Sequence, residues 1–130
     1  MRQQLQLRVM PHLLVVLWFT SLSMLSSCND VAHSVLNDQP SPNAAWHAVI
    51  EKEEHGGLGT AGTIYTVSLL RKGERDRPIV ILSVEDDGTK PVFLKAVWTS
   101  NNKLSVEAKG GMIDFQAVQA AGIQISLSAS

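Results

Sequence analysis

Residues 63–70 read TIYTVSLL, with four β-branched residues and a tyrosine in the first five positions. Such side chains lose rotamer freedom in a helix and pack well on a pleated surface, so the stretch is a strand. Working outward finds the same signature on both sides. Trp46 to Glu53 alternates, with Trp46, Ala48 and Ile50 on one side and His47, Val49 and Glu51 on the other. Ile79 to Val84 (IVILSV) is a short apolar run of the buried-strand type. Val92 to Trp98, Lys103 to Ala108, Met112 to Val118 and the strictly alternating Ile123 to Leu127 follow. The separators, 55–62, 71–78, Asp87-Gly88, Asn101-Asn102 and Gly110-Gly111, carry turn chemistry, and the two-residue ones suit tight hairpins. Met112 to Ala121 also admits a short helix, but the glycines at 110, 111 and 122 and the neighbouring strands favour a strand. The expected fold over residues 45–130 is all-β, a small antiparallel meander of about seven strands closed as a sandwich or a partly closed barrel. Trp46, Tyr65, Phe93, Trp98 and Phe115 are its expected core aromatics.

The first 28 residues have a different composition. Arg2 and Arg8 make the start basic, no acidic residue precedes Asp30, and Leu13 to Leu25 (LLVVLWFTSLSML) is uncharged. That length suits the apolar region of an export signal, about 7–15 residues, and falls short of the roughly 20 that span a bilayer. The segment ends Leu25-Ser26-Ser27-Cys28. In this order it resembles a bacterial lipoprotein signal peptide, and the resemblance covers residues 1–28. It implies that a helical signal, 1–27, is removed by a signal peptidase that recognises Leu25, Ser26 and Ser27, and that Cys28 then takes the lipid. Small residues let the backbone enter a peptidase site, and a thiol is what a thioether-linked lipid requires. The protein would then be lipid-anchored to the inner or outer membrane of the cell envelope, since two or more acyl chains give stable attachment. Loss of residues 1–27 removes Arg2 and Arg8, leaving 9 basic against 12 acidic residues, a charge of 9 − 12 = −3. Residues 28–44 are polar after the cysteine, contain Pro40 and Pro42 and hold no period, so they read as a disordered tether that includes His33.

Composition excludes several function classes. A chain of 130 residues has room for one domain, and a single cysteine closes no internal disulfide and no cysteine-based zinc framework. A formal net charge of −1 argues against nucleic acid as a partner. Gly57, Gly59 and Gly62 spell a GxGxxG pattern, but the dinucleotide motif needs a helix after its last glycine to hold the pyrophosphate, and here a strand follows. Gly56, Gly57, Gly59 and Gly62 are instead expected to form a hairpin loop, a candidate contact point for a partner, and no cofactor is expected.

His47, Glu51, Glu53, Glu54 and His55 cluster on the strand before that loop, and alternation puts His47, Glu53 and His55 on one face. These are metal-ligating types, so His47, Glu53 and His55 are weak metal candidates, although their spacing matches no metal signature and a charged edge strand also resists unwanted pairing. Glu85-Asp86-Asp87-Gly88 lacks the spaced oxygen ligands of a calcium loop and reads as a hairpin turn. With Cys28 assigned to lipid and no GxSxG elbow present, no nucleophilic constellation stands out, and an enzyme is not expected.

Two further resemblances concern the β domain. Ser41-Pro42-Asn43-Ala44-Ala45-Trp46-His47-Ala48-Val49 is similar to the start of a β-propeller blade, and residues 98–106 (WTSNNKLSV) look like a degenerate copy. A closed propeller needs at least four blades of about 40–45 residues, which this length excludes. Residues 41–70 also resemble domains of unknown function in small bacterial lipoproteins, a likeness that transfers no active site. The functional expectation is a membrane-anchored envelope lipoprotein, non-catalytic, acting as a protein-binding or structural module with an envelope protein as partner. The alternative is an envelope binder of a metal ion or small ligand through the His47, Glu53 and His55 region.

Overall fold

A computed structural model describes residues 30–57 and 61–130 of the protein. Leu25, Ser26, Ser27 and Cys28 and the expected signal helix lie outside the described residues, as does Gly59. The described residues form nine strands: β1 (Val31–Pro40), β2 (Trp46–His55), β3 (Gly62–Arg71), β4 (Glu74–Glu85), β5 (Phe93–Ser100), β6 (Lys103–Lys109), β7 (Met112–Gln116), β8 (Gln119–Ala120) and β9 (Ile123–Ala129). They form two sheets, a five-stranded one in the order β1-β2-β3-β4-β7 and a four-stranded one in the order β5-β6-β9-β8. The fold is all-β. No helix among the described residues is long and apolar enough to cross a membrane.

The two sheets share one core. Ala48, Ile50, Val67, Leu69, Leu82 and Val84 from the first meet Ala96, Leu104, Val106, Ala108 and Ile123 from the second, with Trp46, Tyr65 and Trp98 packed against them. Phe93 and Phe115 do not join this core, contrary to expectation. Each is 49% exposed, because alternation places each on the solvent side of its strand, Phe93 next to Lys109 and Phe115 opposite Ser83.

β1 corrects the expected tether. Residues 31–40 are a ten-residue edge strand paired antiparallel with β2 from Val31↔His55 to Pro40↔His47, interrupted by a bulge at Leu36. The domain therefore begins at Val31 and not at residue 45. The indole Nε1–H of Trp98 donates to the Gln39 carbonyl at 2.9 Å, fastening β1 to the second sheet. At the same end the Asn43 N–H donates to Asn101 Oδ1 at 3.0 Å, so the two turns that resemble each other in sequence also touch.

β1 to β4 form the expected meander, and the chain then changes sheet three times, between β4 and β5, between β6 and β7 and between β7 and β8. The expected hairpin turns at Asp87-Gly88 and Gly110-Gly111 are sheet crossings instead: residues 86–92 carry β4 into β5, and Gly110-Gly111 carries β6 away to β7, which pairs with β4. Within 86–92, Gly88 N–H and Thr89 N–H donate to the carboxylates of Asp86 and Asp87, each at 2.9 Å, and so fold the link locally. After β8 the chain returns as β9, which runs parallel to β6. Of the expected separator 71–78, only Lys72-Gly73 is a turn, and β4 starts at Glu74.

Candidate functional site

The outer face of the five-stranded sheet collects the chemistry-bearing side chains. Alternation along β2 puts Ala48 and Ile50 inward, which leaves His47, Val49, Glu51, Glu53 and His55 outward. Register extends this face into rows: His33, Glu53, Ile64, Glu85 and Met112 form one, and Val35, Glu51, Thr66, Ser83 and Phe115 the next.

The expected trio of His47, Glu53 and His55 is split. Eight residues of one strand separate the two histidines, roughly 26 Å at about 3.3 Å per residue, so they cannot share an ion. His55 Nε2 lies 2.7 Å from Glu53 Oε1, while the other oxygen, Oε2, faces His33 Nδ1 at 3.4 Å. His33, read as a solvated tether residue, is thus the partner that alternation brings to Glu53. One carboxylate spans two imidazoles in this row, and no group of three His, Cys, Asp or Glu among the described residues is arranged to hold a metal.

The glycine loop behaves as a hairpin connection. Gly62 opens β3, a strand, so the dinucleotide reading has no helix to rest on. Gly56 N–H donates to the Asp30 carbonyl at 3.0 Å, tying the loop to the start of β1, and Gly57 has φ +137°.

The other end of this face holds an arrangement that the sequence reading missed. His47 pairs with Pro40 on one side and Leu70 on the other. Its Nδ1 lies 2.7 Å from Asp38 Oδ1. A carboxylate only accepts, so Nδ1 carries the proton and Nε2 is left for another partner. Asp38, His47, Leu70, Arg71, Lys72 and Arg75, with Gly73, line a pocket of about 180 Å³. The lining contains no hydroxyl or thiol to act as a nucleophile. A basic run, Arg71, Lys72, Arg75 and Arg77, was the available signal, and its reading as turn punctuation concealed it. Asp38 carried no signal, because it stood in a segment read as tether.

Elsewhere charges pair locally on the surface. The Thr89 hydroxyl, 2.6 Å from Asp87 Oδ1, holds the Asp87 carboxyl below the ordinary carboxylate value. Lys109 does the same to Glu107 from 2.7 Å. Its ammonium also stands 5.9 Å from the centre of the Phe93 ring. These contacts order side chains without building a cleft. Compared with protein-family models, with curated proteins and with solved structures, the chain matches none of them.

Proposed function

We propose that the protein is a bacterial envelope lipoprotein, anchored to a membrane through lipid on Cys28, and that its sandwich is a non-catalytic module binding another envelope protein. The basic start, apolar run and Leu25-Ser26-Ser27-Cys28 sequence support the anchor. The observation that carries the binding role is β1. It is an edge strand of ten residues, exposed over nearly its whole length, with Val31, Val35 and Leu36 open to solvent and no lysine or arginine along it. Sheet edges commonly avoid strangers by lysines or by short strands, and β1 has neither defence over residues 31–35. An extended partner segment adds there as a further strand, its backbone supplying affinity and its alternate side chains meeting Val31, His33 and Val35. Only Asn29 and Asp30 stand between Cys28 and β1, so the edge begins within about 10 Å of the anchored residue, the reach of three extended residues.

Two measurements test this. Metabolic acyl labelling is expected in wild type and absent in Cys28→Ser, with an unprocessed precursor; a wild type that never takes label removes the anchor. A photo-crosslinker at Leu36 in intact cells is expected to give one discrete adduct, lost when Val31 and Val35 are both replaced by lysine. Adduct formation indifferent to those lysines would place the partner elsewhere. A second reading, binding of a small ligand, is favoured by one observation, the pocket around His47.

A further inference from the structure

We infer that the pocket between Asp38, His47, Arg71, Lys72 and Arg75 is a binding site for a phosphate group. It lies at the opposite end of the outer face from the β1 start, and the inference depends neither on lipidation nor on a protein partner.

The size is the first ground. Pockets for drug-sized ligands run to about 300–1,000 Å³, whereas this one measures about 180 Å³. It suits a single functional group. Charge is the second ground. Three cations line it against Asp38, and Glu74 approaches Arg71 at 3.8 Å, which leaves 3 − 2 = +1 with His47 neutral, in a chain whose formal charge is −1. Asp38 does not simply oppose an anion, because it is engaged with His47 Nδ1 at 2.7 Å. The imidazole is thereby fixed, in a lining that also holds two guanidinium forks and an ammonium.

Pre-organisation is the third ground. The Lys72 N–H donates to the Ala45 carbonyl at 2.9 Å, tying the β3–β4 turn to the β1–β2 turn. Arg71 pairs with Glu74, so a regular hairpin would pair Leu69 with Asp76; Leu69 pairs instead with Ile79, three residues later. The extra residues leave the ladder, and Arg75 among them lines the pocket. Pro78, which has no N–H to give the ladder, lies within it.

The donor set selects among anions. One guanidinium satisfies a carboxylate, with one charge and two oxygens. A phosphate monoester carries about −1.5 to −2 charges and three strong acceptor oxygens, which match two arginines and a lysine. The same chemistry comes from a lipid headgroup or from a soluble phosphate.

The test uses the full-length protein in a non-ionic, phosphate-free detergent, with inorganic phosphate as probe and imidazole NMR shifts of His47 as readout. Saturable binding is expected, weakened about tenfold by Arg71→Gln and by Arg75→Gln, as loss of a charge-assisted contact implies. Lys103→Gln, on the second sheet, is expected to leave it unchanged, and circular dichroism checks that each variant folds. Absence of saturation, equal affinity in the arginine variants, or acetate competing as well as phosphate would each overturn the assignment. With binding established, stronger competition by a short-chain phosphatidate than by glycerol phosphate assigns the source to a lipid headgroup, and equal competition assigns it to soluble phosphate.

Discussion

Gly110 and Gly111 both adopt φ +69°, and both are walled in. A Cβ on Gly111 would stand 2.6 Å from the Glu85 carbonyl oxygen and 2.8 Å from a Val84 methyl, and one on Gly110 would stand 2.5 Å from the Pro91 carbonyl oxygen. Here two of the crossings between sheets, β4 to β5 and β6 to β7, press against each other, and only a residue without a side chain fits. Gly73 shares the conformation, at φ +83°, but a Cβ there would meet nothing within 4 Å. The left-handed conformation costs an L-residue about 1–2 kcal/mol, and overpacking adds about 1–3 kcal/mol. Gly111→Ala is therefore expected to cost about 2–5 kcal/mol, and Gly73→Ala about 1 kcal/mol after the reduced entropy of the unfolded chain is counted. Urea denaturation midpoints separate the two. Equal losses would show that the close approach at Gly111 contributes nothing. The glycine pair was legible as a place needing positive φ, but its role was not. A hairpin and a sheet crossing demand the same backbone freedom, and which sheet the next strand joins depends on distant partners.

β1 shows the same limit for a whole element. Residues 63–70 announce a strand because Val67, Ser68 and Leu69 are buried and Tyr65 packs on the core, whereas β1 is exposed on both faces and needs no apolar side chains at all. Its sequence, VAHSVLNDQP, is correspondingly polar and carries no period. What holds it is backbone pairing to β2 and the bond from Trp98 to the Gln39 carbonyl, and neither leaves a mark in composition. The candidate sites shared that fate, since His33 and Asp38 acquire partners only once β1 is a strand. Trp98→Phe keeps an aromatic ring at the core boundary and deletes the donor. Its expected cost is about 1 kcal/mol, the usual net worth of such a bond. In native-state hydrogen exchange this reads as about fivefold faster exchange of the β1 amides, which open locally without disrupting β3. Unchanged β1 exchange in Trp98→Phe would mean that the ladder alone retains the strand.

For the molecule as a whole, the crossings decide how it unfolds. The first sheet takes β7 from a part of the chain otherwise spent on the second, and the second sheet cannot close β9 onto β6 until β7 and β8 are placed. Neither sheet is a contiguous segment, and each needs the other to cover its apolar face, so the domain is expected to unfold in one step. Leu69 in the first sheet is 0% exposed and Leu104 in the second 1%. Truncation of either to alanine removes a buried branched side chain and is expected to cost about 2–5 kcal/mol. A domain of this size has only about 5–15 kcal/mol of stability in total, so either loss moves the midpoint far enough to measure. In wild type and in both variants, the midpoint from far-ultraviolet circular dichroism is expected to coincide with that from tryptophan fluorescence, which reports Trp46 in the first sheet and Trp98 in the second. If Leu104→Ala instead lowers the fluorescence midpoint and leaves the circular dichroism midpoint behind, the second sheet melts alone, and the shared core does not bind the two sheets into one cooperative unit.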